Sequence, residues 1–189
     1  QRTNQYEVSY NHQITDNFAF SITGYYKDIY NQTDIAYVDI LPTPYYQSVM
    51  SAYGSSKGIE ITFQRRTADN WGFNLNYTLA SAIGTSNNAT TLVALDPYTQ
   101  LPAFPVDPFP LGFDRRHRVN GVFTLDWGPD QGPTIAGYPF LEYLTINISG
   151  YWQTGTPYTP VNGQGQAVGA INSSRFPSTW NSELRINRT

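Results

Sequence analysis

Four consecutive residues, Asp114-Arg115-Arg116-His117, carry the densest chemistry in the chain. A carboxylate beside two guanidinium groups forms charge-assisted, bidentate hydrogen bonds, which can pin a loop or hold an anion. The run opens an alternating stretch directly after the longest polar connection, so Asp114, Arg115 and Arg116 are expected to act structurally at a rim, with ligand binding as the second reading. His117 has the parity of the apolar residues and suits an interface. Upstream, Leu95 to Phe113 (LDPYTQLPAFPVDPFPLGF) holds five prolines and several aromatics, a stiff apolar composition suited to an exposed contact surface. Tyr98, Phe104 and Phe109 from this segment, with Tyr45, Tyr46 and Tyr158 from other connections, are candidate contacts for a ligand or a neighbouring protein. Packing over a mouth is the plain alternative.

Catalysis and metal binding find little support. Only His12 and His117 exist, Cys is absent, and no Ser sits in a nucleophile elbow. GQGQAVG lies in a connection without the strand and helix that a phosphate cradle needs. Asp96 and Asp107 lack the dense oxygen spacing of a calcium loop. No enzyme activity, cofactor or metal is expected. Net charge is −3, with no basic footprint for nucleic acid. Six Asn-x-Ser/Thr triplets (at Asn31, Asn76, Asn88, Asn147, Asn172 and Asn187) arise easily in so Asn- and Thr-rich a chain and are read as unmodified.

The elements that position these residues are strands. In YEVSYNHQITDNFAFSITGYY, apolar and polar residues alternate, pause at Thr15-Asp16-Asn17 and alternate again, the pattern of an antiparallel hairpin. A second hairpin places Ile59, Ile61 and Phe63 before the break at Ala68-Asp69-Asn70 and Trp71, Phe73, Leu75 and Tyr77 after it. Three further stretches follow, around Phe123, Ile146 and Leu184, making about seven strands of roughly 9–14 residues, longer than the usual ~5–6. A strand tilted about 45° crosses a bilayer in about 9–11 residues. Thr15–Asn17 and Ala68–Asn70 are short connections and Gly128 to Phe140 an intermediate one on the same side. Asn31 to Ala52, Thr85 to Phe113 and Pro157 to Pro177 are long, so all long loops fall at one rim, as in outer-membrane barrels.

No apolar run is long enough for a transmembrane helix, and a mean hydropathy of −0.42 does not argue against a barrel, whose lumen residues dilute the average. The charged fraction of 13% is about half the usual ~25%, while Tyr and Phe are abundant. Phe20, Ile22, Phe73, Leu75, Phe123 and Ile146 share the apolar parity and are expected to face lipid. Phe18, Trp71 and Trp127 near the short-turn rim, and Tyr26, Tyr53, Tyr77 and Trp152 nearer the other, form two aromatic rows at headgroup level. Glu60, Gln64, Asn74, Asn76, Arg118, Asn120, Asn147, Glu183 and Arg185 take the opposite parity and are expected to face a lumen. A soluble β-sandwich burying the same apolar residues between two sheets is the competing architecture.

Taken in order, YEVSYNHQITDNFAFSITGYYKDIYN, YGSSKGIEITFQRRTADNWGFNLNYTLASAIGTS, FDRRHRVNGVFTLDW, GYWQTGTPYTP and PSTWNSELRINR resemble the TonB-dependent receptors, most closely the Oar-like branch that carries a carboxypeptidase-regulatory-type domain. The resemblance covers most of the chain, and FDRRH matches the family's recurring pattern. It implies an all-β, antiparallel up-and-down meander, the incomplete C-terminal segment of a barrel of about 22 strands in the outer membrane of a Gram-negative bacterium. Plug, TonB box, earlier strands and final strands are expected to be missing from residues 1–189. It further implies uptake of a scarce, bulky ligand energised through TonB. Outer-membrane lipid and the TonB complex are then the expected partners, with other envelope proteins at the long loops or at open edges along the Tyr6 and Leu184 strands. A structural or adhesive barrel that transports nothing is the alternative.

Overall fold

The computed structural model describes residues 1–38, 40, 43–86 and 107–188. Twelve strands run through them: β1 (Arg2–Gln13), β2 (Phe18–Val38), β3 (Tyr45–Ala68), β4 (Trp71–Gly84), β5 (Phe109–Pro110), β6 (His117–Asp126), β7 (Thr134–Ile135), β8 (Tyr138–Pro139), β9 (Leu144–Gln153), β10 (Pro157–Tyr158), β11 (Ser174–Arg175) and β12 (Thr179–Arg188). The seven long strands form one antiparallel meander, β1-β2-β3-β4-β6-β9-β12, and β5 adds to the end of β4. Among the described residues β1 and β12 each pair on one side only.

Register keeps the two parities apart across the whole sheet. Phe18, Arg65, Phe73, Phe123, Ile148 and Leu184 stand side by side in one row of the apolar face. Three residues along the strands, Thr62, Asn76, Asn120, Tyr151 and Asn181 form a row of the polar face. Sliding a strand by one residue would exchange these faces. Arg65 and Lys57 are charged exceptions on the apolar side, and Tyr25, Val122 and Tyr151 are apolar or aromatic exceptions on the polar side.

Among the described residues no second layer covers the apolar face. Among the described residues the buried apolar side chains are Ala52, Ala82, Phe109 and Leu111, all toward the long-loop end of the sheet. Leu75 is 44% exposed and Ile148 47%, and Phe20, Ile22, Phe73, Phe123 and Ile146 are half-buried or exposed. A sandwich would bury these residues between facing sheets; a single sheet leaves them open, and that reading is excluded.

Connections explain the register. Asp69 and Asn70, at φ 51° and 71°, give the β3–β4 turn the positive dihedrals of a two-residue hairpin loop, a conformation that Asp and Asn tolerate better than other side-chain-bearing residues. Between Gly128 and Phe140 the small β7–β8 hairpin turns at Ala136 and Gly137, φ 53° and 83°.

Two expectations need correction. Asn31 to Ala52 is largely paired strand: β2 runs 21 residues and β3 24, so Tyr45 and Tyr46 belong to a strand. Asn31, at φ 56°, sits in a bulge between Ile29 and Gln32, which shifts the register and lets the pair continue past a polar stretch. Phe109 is buried, because β5 pairs with Ile83 and Gly84 and folds it against the sheet end. Asp96, Tyr98 and Phe104, with the triplet at Asn88, lie outside the described residues.

Candidate functional site

Three arrangements concentrate the polar chemistry. At the long-loop end of β4 and β6, Asp114 is only 2% exposed. Its Oδ1 accepts from the Ala82 backbone N–H at 2.7 Å, and its Oδ2 is bonded by Arg175 with Arg116 looser at 3.7 Å. Arg175 also donates to the carbonyls of Asp114 at 2.9 Å and Gly155 at 3.3 Å. Asn172 donates to Pro110 O at 2.7 Å. One buried carboxylate therefore ties the end of β4, the segment before β6 and the loop holding β10 and β11 into a single knot. A buried charge persists only when paired and hydrogen-bonded, and here it is both.

The tight partner is Arg175, some sixty residues along the chain, while Arg115 turns to Thr154 O at 3.2 Å. The expected pairing of Asp114 with its two sequence neighbours thus holds only loosely, for Arg116. The sequence analysis gave Arg175 no role and Asn172 only a triplet reading; the available signal was a lone Arg in an otherwise uncharged loop.

A second cluster stands on β2 and β3, two or more residues past Tyr26 toward the far end of their pairing. Asp28 is buried, accepting from Tyr53 Oη at 2.7 Å and Tyr30 Oη at 3.2 Å. Burial works to raise its carboxyl, and hydrogen bonds led by Tyr53 outweigh it and hold the carboxyl below its ordinary value. The same bond pushes the Tyr53 phenol up to about 12. Beyond the cluster, β2 and β3 stay paired with each other, and Tyr45, Tyr46 and Met50 on them are exposed. Tyr158 is exposed beside Phe176, ring centroids 4.5 Å apart.

The polar face is a wall of amides and hydroxyls. Thr62 Oγ1 donates to Asn76 Oδ1 at 2.9 Å, Asn76 Nδ2 to Asn74 Oδ1 at 2.6 Å, and Thr124 Oγ1 to Asn147 Oδ1 at 2.8 Å. Glu183 pairs with Arg185 at 2.9 Å. Glu60 and Arg118 fall in one row and Gln64 faces Asn74. A shallow groove of about 320 Å³ lies over Asn74, Asn76, Asn120, Tyr151, Asn181 and Glu183.

On the other face the aromatics gather at two levels. Phe18, Phe63, Trp71 and Phe73 touch one another at the short-turn end, centroids 5.2 to 6.2 Å apart. Trp127 follows β6 at the same end, its backbone N–H donating to Leu144 O at 3.0 Å. Nearer the long loops, Tyr77 Oη meets His117 Nδ1 at 2.9 Å and Trp152 stands beside Trp180. Arg65 is buried in the lower cluster, its guanidinium 3.8 Å from the Trp71 ring centroid and 5.4 Å from that of Phe18. It donates to the carbonyls of Ala68 and Trp71 and pairs with Asp69, so a cation on the apolar parity is shielded by rings and turned into the hairpin turn.

A family model described as TonB dependent receptor-like, beta-barrel, matches residues 1–187. The chain belongs to that family. Membership places it in the outer membrane of Gram-negative bacteria and makes the open meander a portion of a β-barrel wall. The FrpB iron transporter from Neisseria meningitidis (F3-3 variant) is similar in fold, with a TM-score of 0.60 at 11% identity over 99% of this chain. This chain spans 24% of that one. No curated protein matches the sequence.

Proposed function

We propose that residues 1–189 are the incomplete C-terminal segment of a TonB-dependent receptor of the Oar-like branch, whose complete barrel has about 22 strands and takes up a bulky, scarce ligand with energy delivered by TonB. Plug, TonB box and the remaining strands belong to the complete receptor. The observation that carries this reading is one meander of long strands with opposite chemistry on its faces and no layer over the apolar one. Phe20, Ile22, Phe73, Leu75, Phe123 and Ile146 meet lipid, and the aromatic rows at Phe18, Trp71 and Trp127 and at Tyr26, Tyr53, Tyr77 and Trp152 sit at the two headgroup levels. Glu60, Gln64, Asn74, Asn76, Arg118, Asn120, Asn147, Glu183 and Arg185 line the lumen. Tyr45, Tyr46 and Tyr158 offer ligand contacts outside. The reading assigns no catalysis and no cofactor.

Residues 1–189 contain no Cys, so single cysteines placed there report without background once any cysteines elsewhere in the complete receptor are replaced. In the complete receptor in vesicles, a polarity-sensitive dye at Ile61 should emit as if in hydrocarbon and one at Thr62 as if in water. Equal wetness at both positions would overturn the barrel assignment. The intact polypeptide recovered from membranes should have a mass well above 21.3 kDa.

The exposed Tyr45 and Met50 of the β2–β3 hairpin favour one second reading, a structural or adhesive barrel that docks another envelope protein. A plug and TonB box in the complete receptor support uptake; their absence supports docking.

A further inference from the structure

The apolar face is not evenly filled. One row crosses it as Phe20, Phe63, Leu75, Gly121, Gly150 and Ser182, so large side chains give way over the last three strands to hydrogen atoms and a hydroxymethyl group. The result is a depression of about 570 Å³. Leu75 closes one end, Phe123 and Ile148 form the short-turn side, and Trp152 and Trp180 stand on the long-loop side.

The two glycines cannot be filled without moving backbone. A Cβ on Gly150 would stand 2.9 Å from the Asn181 carbonyl oxygen, and one on Gly121 would stand 3.2 Å from that of Asn74. The depression is thus built into the strand spacing. Its depth in the membrane follows from the chain: Gly150 lies two residues below Trp152, about 5 Å for a tilted strand rising ~3.3 Å per residue. It therefore opens just beneath the aromatic row, in the leaflet on the long-loop side. Unpaired charge is absent from its walls, and its shape is an elongated trough between two indoles and a floor of backbone.

The geometry points to a seat for one acyl chain of a membrane lipid, entering between Trp152 and Trp180 and packing its methylenes on Gly121, Gly150 and Ser182. A flat barrel wall offers a chain only passing contact. A trough surrounds it on three sides and multiplies close carbon contacts, which are small singly and add up. The assignment rests on the apolar face being the lipid face, as proposed above.

The test uses the complete receptor in vesicles containing a phospholipid with a photoactivatable diazirine on its acyl chain, with adducts mapped by mass spectrometry. Adducts should concentrate on Gly150–Trp152 and Trp180–Ser182, roughly threefold above those at Phe20–Ile22, an enrichment that several added carbon contacts can supply. Ser182→Leu, which fills the trough from the one floor position free of backbone crowding, should reduce the enrichment to the Phe20–Ile22 level, and Trp180→Ala should lower it. Unchanged heat-modifiable mobility on gels shows that both variants remain folded barrels. Even labelling along the apolar face would overturn the seat and leave the lipid face standing. No labelling anywhere on that face would overturn both. Loss of lipid adducts at Trp180–Ser182 together with co-purification of a second protein that shields those residues would replace the lipid by a protein occupant and equally overturn the assignment.

Discussion

The middle of the sheet and its long-loop end solve the burial problem in opposite ways. Across the middle, strand follows strand with hardly a buried side chain, and Leu75, Phe123 and Ile148 wait for a solvent of their own polarity. At the long-loop end, Ala82, Phe109, Leu111, Asp114 and Asn172 are buried by the protein itself, with Arg175 closing the cluster. On the proposed reading, the middle takes its apolar partner from the membrane, where closing the backbone hydrogen bonds is the chief requirement. The rim stands in water and must make a small core, which it builds round a paired carboxylate. Stability in the first region thus depends on the surrounding medium, and in the second on a few named contacts.

Placing a charge in the middle should break this contrast most severely. Ile61→Arg in the complete receptor is expected to destabilise the folded barrel in vesicles by about 2–4 kcal/mol if it lies near the midplane. Asn76→Asp, one row away on the opposite face, should change little. Reversible urea unfolding in lipid measures both, and a comparable loss from the two would erase the distinction between faces.

At the rim, Asp114→Ala leaves the Ala82 N–H and the Arg175 guanidinium without their acceptor. Hydrogen bonds to charged groups are worth about 1.5–3 kcal/mol each, but Arg175 is partly exposed and recovers some water, so a total near the lower end, about 2 kcal/mol, is expected. The loss should be local. Amide exchange should quicken over residues 109–116 and 155–176 while the centre of β6 stays protected, and uniform quickening would show that the knot supports the whole sheet.

How much of this could be read from sequence depends on how far apart the partners lie. Alternation in β1, β4, β6 and β9 needs only neighbours two residues apart, so the strands, their faces and the short turns were legible, and the register followed the hydrophobic pattern. The β2–β3 extension was not, because Asn31, Gln32 and Asp34 are the residues of a loop and the bulge that accommodates them is a property of the pair of strands. Phe109 looked like a free contact for the same reason: its partner, Gly84, lies across twenty-four intervening residues. Asp114 announced itself by composition, yet Arg175 could not be assigned to it until the long loop was folded back over the rim. Arg65 carried no sequence signal beyond breaking the apolar parity.

Arg65 extends the comparison to the short-turn end, where a single residue joins the two regimes, apolar shielding and buried hydrogen bonding. Arg65→Lys retains the charge and loses the planar fork that reaches Ala68, Trp71 and Asp69 together. A loss of about 1 kcal/mol is expected, somewhat more for Arg65→Ala, given about 0.5–2 kcal/mol for a shielded cation over an aromatic ring. Trp71 fluorescence offers a direct reading, since removing the guanidinium from its face should shift the emission in both variants.

The smallest expected effect is at Asp28, and its sign follows from the direction of the shift. Its carboxyl is held below the ordinary value of 3.8, so its contribution to stability is present above that value and is lost as pH falls through the lowered one. Acid should therefore loosen the base of the hairpin without opening the sheet. Amide exchange over residues 28–38 and 45–55, compared at neutral pH and near pH 3, should show a selective increase in the native receptor. In Tyr53→Phe, which removes the 2.7 Å donor, part of that loosening should already exist at neutral pH and the remaining acid response should shrink. If the variant instead kept the full acid response, the hairpin would be braced by its backbone pairing alone, and the carboxylate–phenol cluster would be an ornament of the rim where Asp114 is its fastening.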